Sequence, residues 1–201
     1  MKGQRTELRR QLRQARRALT PLQQRKASQQ LLRQLVQHPL YRRSKHIAFY
    51  LANDGEIDPT LLLRHAQRMG KHCYLPVLSR WPANRMHFQR LLPNQRWVSN
   101  RFGIAEPVHD QRLQVRPWRL DLILLPLVGF DRQGNRLGMG GGFYDRLLAF
   151  RQRRQHWQGP RLLGLAHDCQ QVDQLPIAPW DIPLDGIVSD QQVILLSAGR
   201  C

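Results

Sequence analysis

Apolar positions in the first forty residues repeat at helical spacing. Leu8, Leu12, Ala15 and Leu19 form one stripe, which predicts an amphipathic helix from Arg5 to Leu19. Arg5, Arg9, Arg13 and Arg16 form a neighbouring basic stripe. Thr20-Pro21-Leu22-Gln23 has the pattern of a capping box with proline in the first turn. A second helix is therefore expected to run to about Gln37, buried through Leu31, Leu32, Leu35 and Val36, and to stop at His38-Pro39. The pattern then changes. His46 to Leu51 is a short continuous apolar run, predicted as a buried strand. A polar loop, Ala52–Asp58, leads to a helix from Pro59 to Met69, with Leu62, Ala66 and Met69 inward and Gly70 as C-terminal cap. His72 to Leu78 is a second strand. Strand, helix and strand occupy about 33 residues, the size of a parallel βαβ unit.

Residues 79–119 are less regular. Met86 to Leu91 predicts a strand, and prolines at 82, 93, 107 and 117 interrupt the rest. Leu120 to Val128 is the strongest buried strand of the chain. A glycine-rich connection follows, then a helix from Phe143 to Arg153 and strands at Leu162–Ala166, Gly186–Ser189 and Val193–Leu196. This alternation predicts an α/β fold with a mainly parallel sheet, in one domain over residues 1–201 with the basic first 45 residues packed on it. Open sheets of this kind bind ligands beyond the carboxyl ends of their strands. That rule places the Asn53–Asp58 loop and the 129–142 loop at one edge.

Composition narrows the class. With 201 residues, 41% hydrophobic content and five tryptophans, the chain can build a core. No apolar run approaches a bilayer span, and the first twenty residues lack a signal-peptide core, so a cytoplasmic protein is expected. Cys73, Cys169 and Cys201 are too scattered for a disulfide framework or zinc site, and Cys169 is expected to be a packing residue. The histidines show no HExxH spacing. Adjacent side chains on a strand point apart, which argues against His167-Asp168 as an acid–base pair. The net charge is +18, and the first 45 residues hold 13 Lys/Arg against Glu7 alone, or +12 of it. Such an arm suits nucleic acid, a polyanionic small substrate, or simply a solvated helix face. Nucleic acid as main partner is disfavoured, because the first forty residues contain no aromatic side chain. Arg151, Arg153 and Arg154 form a second basic cluster near a helix C-terminus, where positive charge is favourable anyway.

The richest segment is PLVGFDRQGNRLGMGGGFYDR, residues 126–146. Its glycines, at 138, 140, 141 and 142, lie between a strand and a helix start, where backbone N–H groups can approach a phosphate. Asp145 and Arg146 add a possible metal ligand and a phosphate-pairing cation. The GxGxxG pattern is not cleanly met and GxxxxGK[ST] is absent, so the plain alternative is a tight strand-to-helix turn. Glu56 follows a buried strand. It could accept hydrogen bonds from ligand N–H groups, such as the pyrimidinone edge of a pterin, or cap the next helix, a task for which Asp58 is better placed. Arg5 and Arg9, one turn apart, could together hold a triphosphate. Phe102, in RFGIAEP, is an aromatic for stacking or for core packing.

RLGMGGGFYDR preceded by GFDRQGN, together with YLANDGEID and QRTELRRQLRQARRAL, resembles the signature of the 5-formyltetrahydrofolate cyclo-ligase family, in order through nearly the whole chain. The resemblance implies the three-layer fold shared with sugar-phosphate isomerases and CoA transferases. It also implies ATP- and Mg²⁺-dependent conversion of 5-formyltetrahydrofolate to 5,10-methenyltetrahydrofolate, with ADP and phosphate released. By the same resemblance Arg5, Arg9, Arg136, Leu137, Gly138, Met139, Gly140, Gly141, Gly142, Phe143 and Tyr144 bind ATP. Leu51, Glu56 and residues Met139, Gly140, Gly141, Gly142 and Phe143 meet the folate, and Asp145 and Asp181 serve magnesium; Phe102, on its own reading as a stacking aromatic, is expected beside the folate too. For Asp181, sequence gives no reason to prefer it over Asp185. The chain departs from the family in having Arg5 where lysine is frequent. Met139 and Gly141 stand where some members are basic, and Phe143 where many have tyrosine. These losses leave phosphate binding more dependent on backbone donors, Arg136 and Mg²⁺. No enzyme nucleophile is implied, and a monomer with no membrane partner is expected. An isomerase or acyl-CoA transferase on the same fold would differ in needing no ATP.

Overall fold

The computed structural model describes residues 2–153 and 159–196. Arg154 and Cys201 lie outside the described residues, as does the side chain of Arg153. Two long helices open the chain, α1 (Lys2–Arg17) and α2 (Pro21–Gln37), followed by a short α3 (Pro39–Arg43). The capping box forms as its residues dictate: the Thr20 hydroxyl accepts from the Gln23 N–H, and the Gln23 amide oxygen accepts from the Thr20 N–H. Proline 39 ends α2 but starts α3, its fixed φ suiting a first helical turn.

Next come β1 (His46–Ala48), α4 (Thr60–Arg68), β2 (His72–Leu78), β3 (Met86–Arg90), β4 (Trp97–Ser99), β5 (Ala105–Pro107) and β6 (Gln114–Val115). Then follow β7 (Leu122–Pro126), β8 (Gly129–Phe130), β9 (Arg136–Leu137), α5 (Phe143–Leu148), α6 (Phe150–Arg153), β10 (Arg161–Leu165), β11 (Gly186–Val188) and β12 (Val193–Leu195). Gly70, at φ +69, closes α4: its N–H donates to Gln67 and the Lys71 N–H reaches back to Ala66. The helix expected over 143–153 is broken at Ala149 into α5 and α6.

One sheet of eight strands runs in the order β12-β11-β10-β7-β1-β2-β3-β6. The five central strands are mutually parallel; β12 and β3 run antiparallel to them, and β6 pairs antiparallel with β3. Side chains alternate across it. Leu122 and Leu124 pack under α2 and α4 with Leu31, Leu35 and Leu62. Ile123 and Leu125 face the other way, with Leu148 of α5 and flanking Phe150. Helices thus cover both faces, which is why these strands are apolar without interruption. β1 stops at Ala48, but Phe49 and Tyr50 continue the buried path towards the carboxyl ends of the strands.

Candidate active site

At those ends lies a cavity of about 1000 Å³. Its floor is set by the ends of β1, β2 and β7, through Tyr50, Leu51, Leu78 and Pro126. The two loops expected at one edge both reach it, although the 129–142 loop does so only in part. Asp131, fully buried, accepts from the N–H groups of Gln133, Asn135 and Leu175 and from the Asn135 side chain. That carboxylate folds residues 129–137 into the β8–β9 hairpin, so that residues 138–142 line the cavity. Leu137 does not line it: its side chain is buried and its carbonyl is taken by the Val128 N–H.

The remaining residues singled out from sequence all border the cavity: Arg5, Arg9, Leu51, Glu56, Phe102, Arg136, residues 138–145 and Asp181. Gly140, at φ +101, and Gly142, at φ +62, take left-handed conformations that suit glycine. Arg9 donates through Nε to the Gly138 carbonyl at 2.8 Å, and its guanidinium lies 3.6 Å from where a Cβ on Gly140 would stand. Arg5 grips Asp181 with both terminal nitrogens, at 2.9 and 3.1 Å. Arg136 pairs with Asp145. The Nε groups of Arg5 and Arg136 are buried without a hydrogen-bond partner among the described residues, a costly state.

The two aspartates differ as candidate metal ligands. Both oxygens of Asp181 are engaged, by Arg5 and by the Ala178 N–H. Asp145 accepts from Arg136 through Oδ1, and no bond to its Oδ2 is found among the described residues. Among the described residues no three His, Cys, Asp or Glu side chains converge as a metal cage. An ion held here would draw most of its shell from phosphate and water, as Mg²⁺ does. Asp185 is distinguished from Asp181: it binds Arg151, Arg161 and the Leu162 N–H, outside the cavity lining.

The Asn53–Asp58 loop, which also lines the cavity, turns through two left-handed residues, Asp54 at φ +55 and Gly55 at φ +74. Arg13, Arg16 and Arg17 of α1 all pair with Asp54. Burial works against its charged form, but hydrogen bonds from Arg13, Arg17 and Arg16 outweigh it and hold Asp54 down to about 2. Glu56 moves the other way. Burial raises it most, Arg16 and the Asn53 N–H pull it down, and the net result is about 7. Its capping role is excluded, because Asp58 accepts from the Thr60 N–H. At the mouth, half-exposed Phe102 meets Phe143 edge to face at 6.0 Å, with Arg101 over both rings.

Some features had no signal in sequence. Arg16 looks like one more basic-stripe residue, yet it is fully buried. Glu106, which accepts from the Leu78 N–H and the Asn100 amide, and exposed Trp180 also line the cavity. Cys169 proves exposed rather than a packing residue, because residues 168–170 form a short 3₁₀ turn after β10. His167 is buried and turned from Asp168, whose carboxylate binds Ser189 and Gln192 instead.

Residues 1–190 match the model of the 5-formyltetrahydrofolate cyclo-ligase family. The chain is 43% identical over 182 residues to the 5-formyltetrahydrofolate cyclo-ligase of Escherichia coli K12, covering 90% of this chain and 98% of that one. It is 40% identical to that of Haemophilus influenzae, covering 92% and 96%. Among solved structures, the 5,10-methenyltetrahydrofolate synthetase of Aquifex aeolicus superposes with a TM-score of 0.80 at 33% identity, over 98% of this chain and 95% of that one. That of Mycoplasma pneumoniae gives 0.71 at 25% identity, over 92% and 98%. In sequence and in fold alike, the chain belongs to the 5-formyltetrahydrofolate cyclo-ligase family.

Proposed function

We propose that this protein converts 5-formyltetrahydrofolate to 5,10-methenyltetrahydrofolate at the expense of ATP. The observation that carries the reading is one cavity, at the upper end of the usual size for small-molecule sites, lined together by a glycine segment, Arg5, Arg9 and Glu56. It offers room for a nucleotide and a pterin together.

The chemistry requires activation, because a formyl oxygen is a poor leaving group. That oxygen attacks the terminal phosphorus of ATP, and ADP departs as the bridging P–O bond breaks. N10 then attacks the formyl carbon and gives up its proton. The carbon–oxygen bond breaks, and inorganic phosphate leaves with the oxygen. No protein nucleophile is consumed, so the protein's task is positioning and charge neutralisation. Arg5, Arg9, Arg136 and the backbone of residues 138–142 hold the phosphates. Glu56 accepts from the pterin N–H groups. Leu51 packs on the ring, and Phe102 with Phe143 flanks it at the mouth. Asp145 would hold Mg²⁺, which when bound neutralises phosphate charge. Asp181 acts through Arg5, which it orients.

The test mixes the protein with 5-formyltetrahydrofolate and Mg-ATP and follows methenyl product alongside ADP. One ATP should be consumed per product, and a chelator should stop both. Product formed without ATP would overturn the mechanism, and ADP formed regardless of folate would point to another ATPase.

A further inference from the structure

Arg16 is the fully buried arginine of α1, and its contacts reach three segments that line the cavity. Nε donates to the Asp54 carbonyl at 2.8 Å, and Nη2 to the Asp54 carboxylate at 2.9 Å. Nη1 donates to the Leu127 carbonyl at 3.1 Å, just beyond β7. The same Nη2 lies 3.8 Å from the Glu56 carboxylate and 3.9 Å from the Met139 sulfur. One rigid fork therefore touches the folate-side loop, a strand end, and the glycine segment.

Burying a guanidinium is a poor way to gain stability, since desolvation offsets much of what its bonds return. Elsewhere α1 fills its inner stripe with apolar side chains such as Leu12. What a planar fork supplies, and a methionine or a lysine does not, is fixed geometry among three groups at once. Arg16 holds the left-handed turn at Asp54 and Gly55 from inside, because it binds both the carbonyl and the carboxylate of Asp54.

We propose that Arg16 is a positioning residue shared by the two substrate sites, holding the Glu56 loop and the Met139 segment in one register. This rests on the functional reading above. Arg13 and Arg17, which also bind Asp54, are more exposed and form no bond to the glycine segment among the described residues, so Arg16 alone of the three links that loop to the glycine segment.

The test measures equilibrium binding of 5-formyltetrahydrofolate and, separately, of a non-hydrolysable ATP analogue to wild type, Arg16→Met and Arg16→Lys. Both dissociation constants should rise at least about fivefold in both variants, since neither side chain restores the fork. Arg16→Lys carries the test if Arg16→Met does not fold. A merely structural role would lower Tm and the active fraction while the folded protein bound both ligands normally; that result overturns the inference. Weakening of one ligand alone overturns the shared role. Wild type that binds neither ligand overturns the functional reading and this inference with it, whereas wild type that binds both with unaffected variants overturns the inference alone.

Discussion

Glu56 and Asp54 stand two residues apart beside one guanidinium, yet they titrate in opposite directions. Asp54 collects the hydrogen bonds of three arginines, while Glu56 is left 3.8 Å from Arg16 and takes most of the burial penalty. The signs for stability follow. Asp54 is depressed, so its contribution is present above about 3.8 and is lost as pH falls towards about 2. Glu56 is raised from 4.5 to about 7, so its folded form favours the proton and stability declines as pH rises between those values. Glu56→Gln abolishes that titration. Denaturant midpoints at pH 5 and pH 8 should show the variant gaining on wild type at the higher pH, and an identical pH dependence for the two would refute this origin of the shift. In the assay the same variant should raise the folate KM and leave the ATP KM near normal. A folate KM that does not move would reduce Glu56 to a loop residue.

At the scale of elements, the glycine segment is where backbone conformation and function meet. Gly140, at φ +101, lies under the Arg9 guanidinium. Gly140→Ala forces an L side chain into a strained conformation, at a cost of roughly 1–2 kcal/mol. Because the segment is at the surface of the fold, the strain should appear as displaced phosphate donors rather than unfolding. The expected result is an ATP KM raised about tenfold or more, with Tm changed by only a few degrees; normal ATP kinetics would show that the segment is only a turn. Elements whose causes are local were legible in sequence: the Thr20–Gln23 capping box, the Gly70 terminus, strand His72–Leu78 and this glycine segment. Elements whose causes are distant were not. The antiparallel placement of β3 and β6 depends on pairing partners, and the division of the 129–142 loop depends on how buried Asp131 satisfies Leu175, forty-four residues on. The basic stripe was visible, but which arginine turns inward is decided by Asp54 and Leu127 and leaves no local trace. Nothing in the sequence marks the break of the 143–153 helix at Ala149.

For the molecule as a whole, the basic stripe of α1 is spent within the fold, while the basic residues of α2 and α3 face outward. Arg5 binds Asp181, Arg9 binds Gly138, and Arg13, Arg16 and Arg17 bind Asp54. α1 thus works as a clasp across loops from three distant parts of the chain, and its seating sets where Arg5 and Arg9 stand. The seat itself is apolar. Leu12 rests on Gly129 so closely that a Cβ there would lie 2.4 Å from Leu12 Cδ1, in a region that also meets the turn after β10. Gly129→Ala must therefore displace the Leu12 side chain, and α1 with it where that side chain cannot turn away, at an overpacking cost of about 1–3 kcal/mol. Neither Gly129 nor Leu12 lines the cavity, so any change in ATP affinity would travel through the helix. We expect Gly129→Ala to lower Tm and weaken ATP binding together. Adding Leu12→Ala should recover part of both, because the smaller side chain makes room for the new methyl. A double-mutant cycle on Tm and on ATP dissociation constants measures that coupling. If Gly129→Ala lowers Tm while ATP affinity stays at the wild-type value, the position of α1 does not control the phosphate site, and Arg5 and Arg9 hold their places by their own bonds to Asp181 and Gly138.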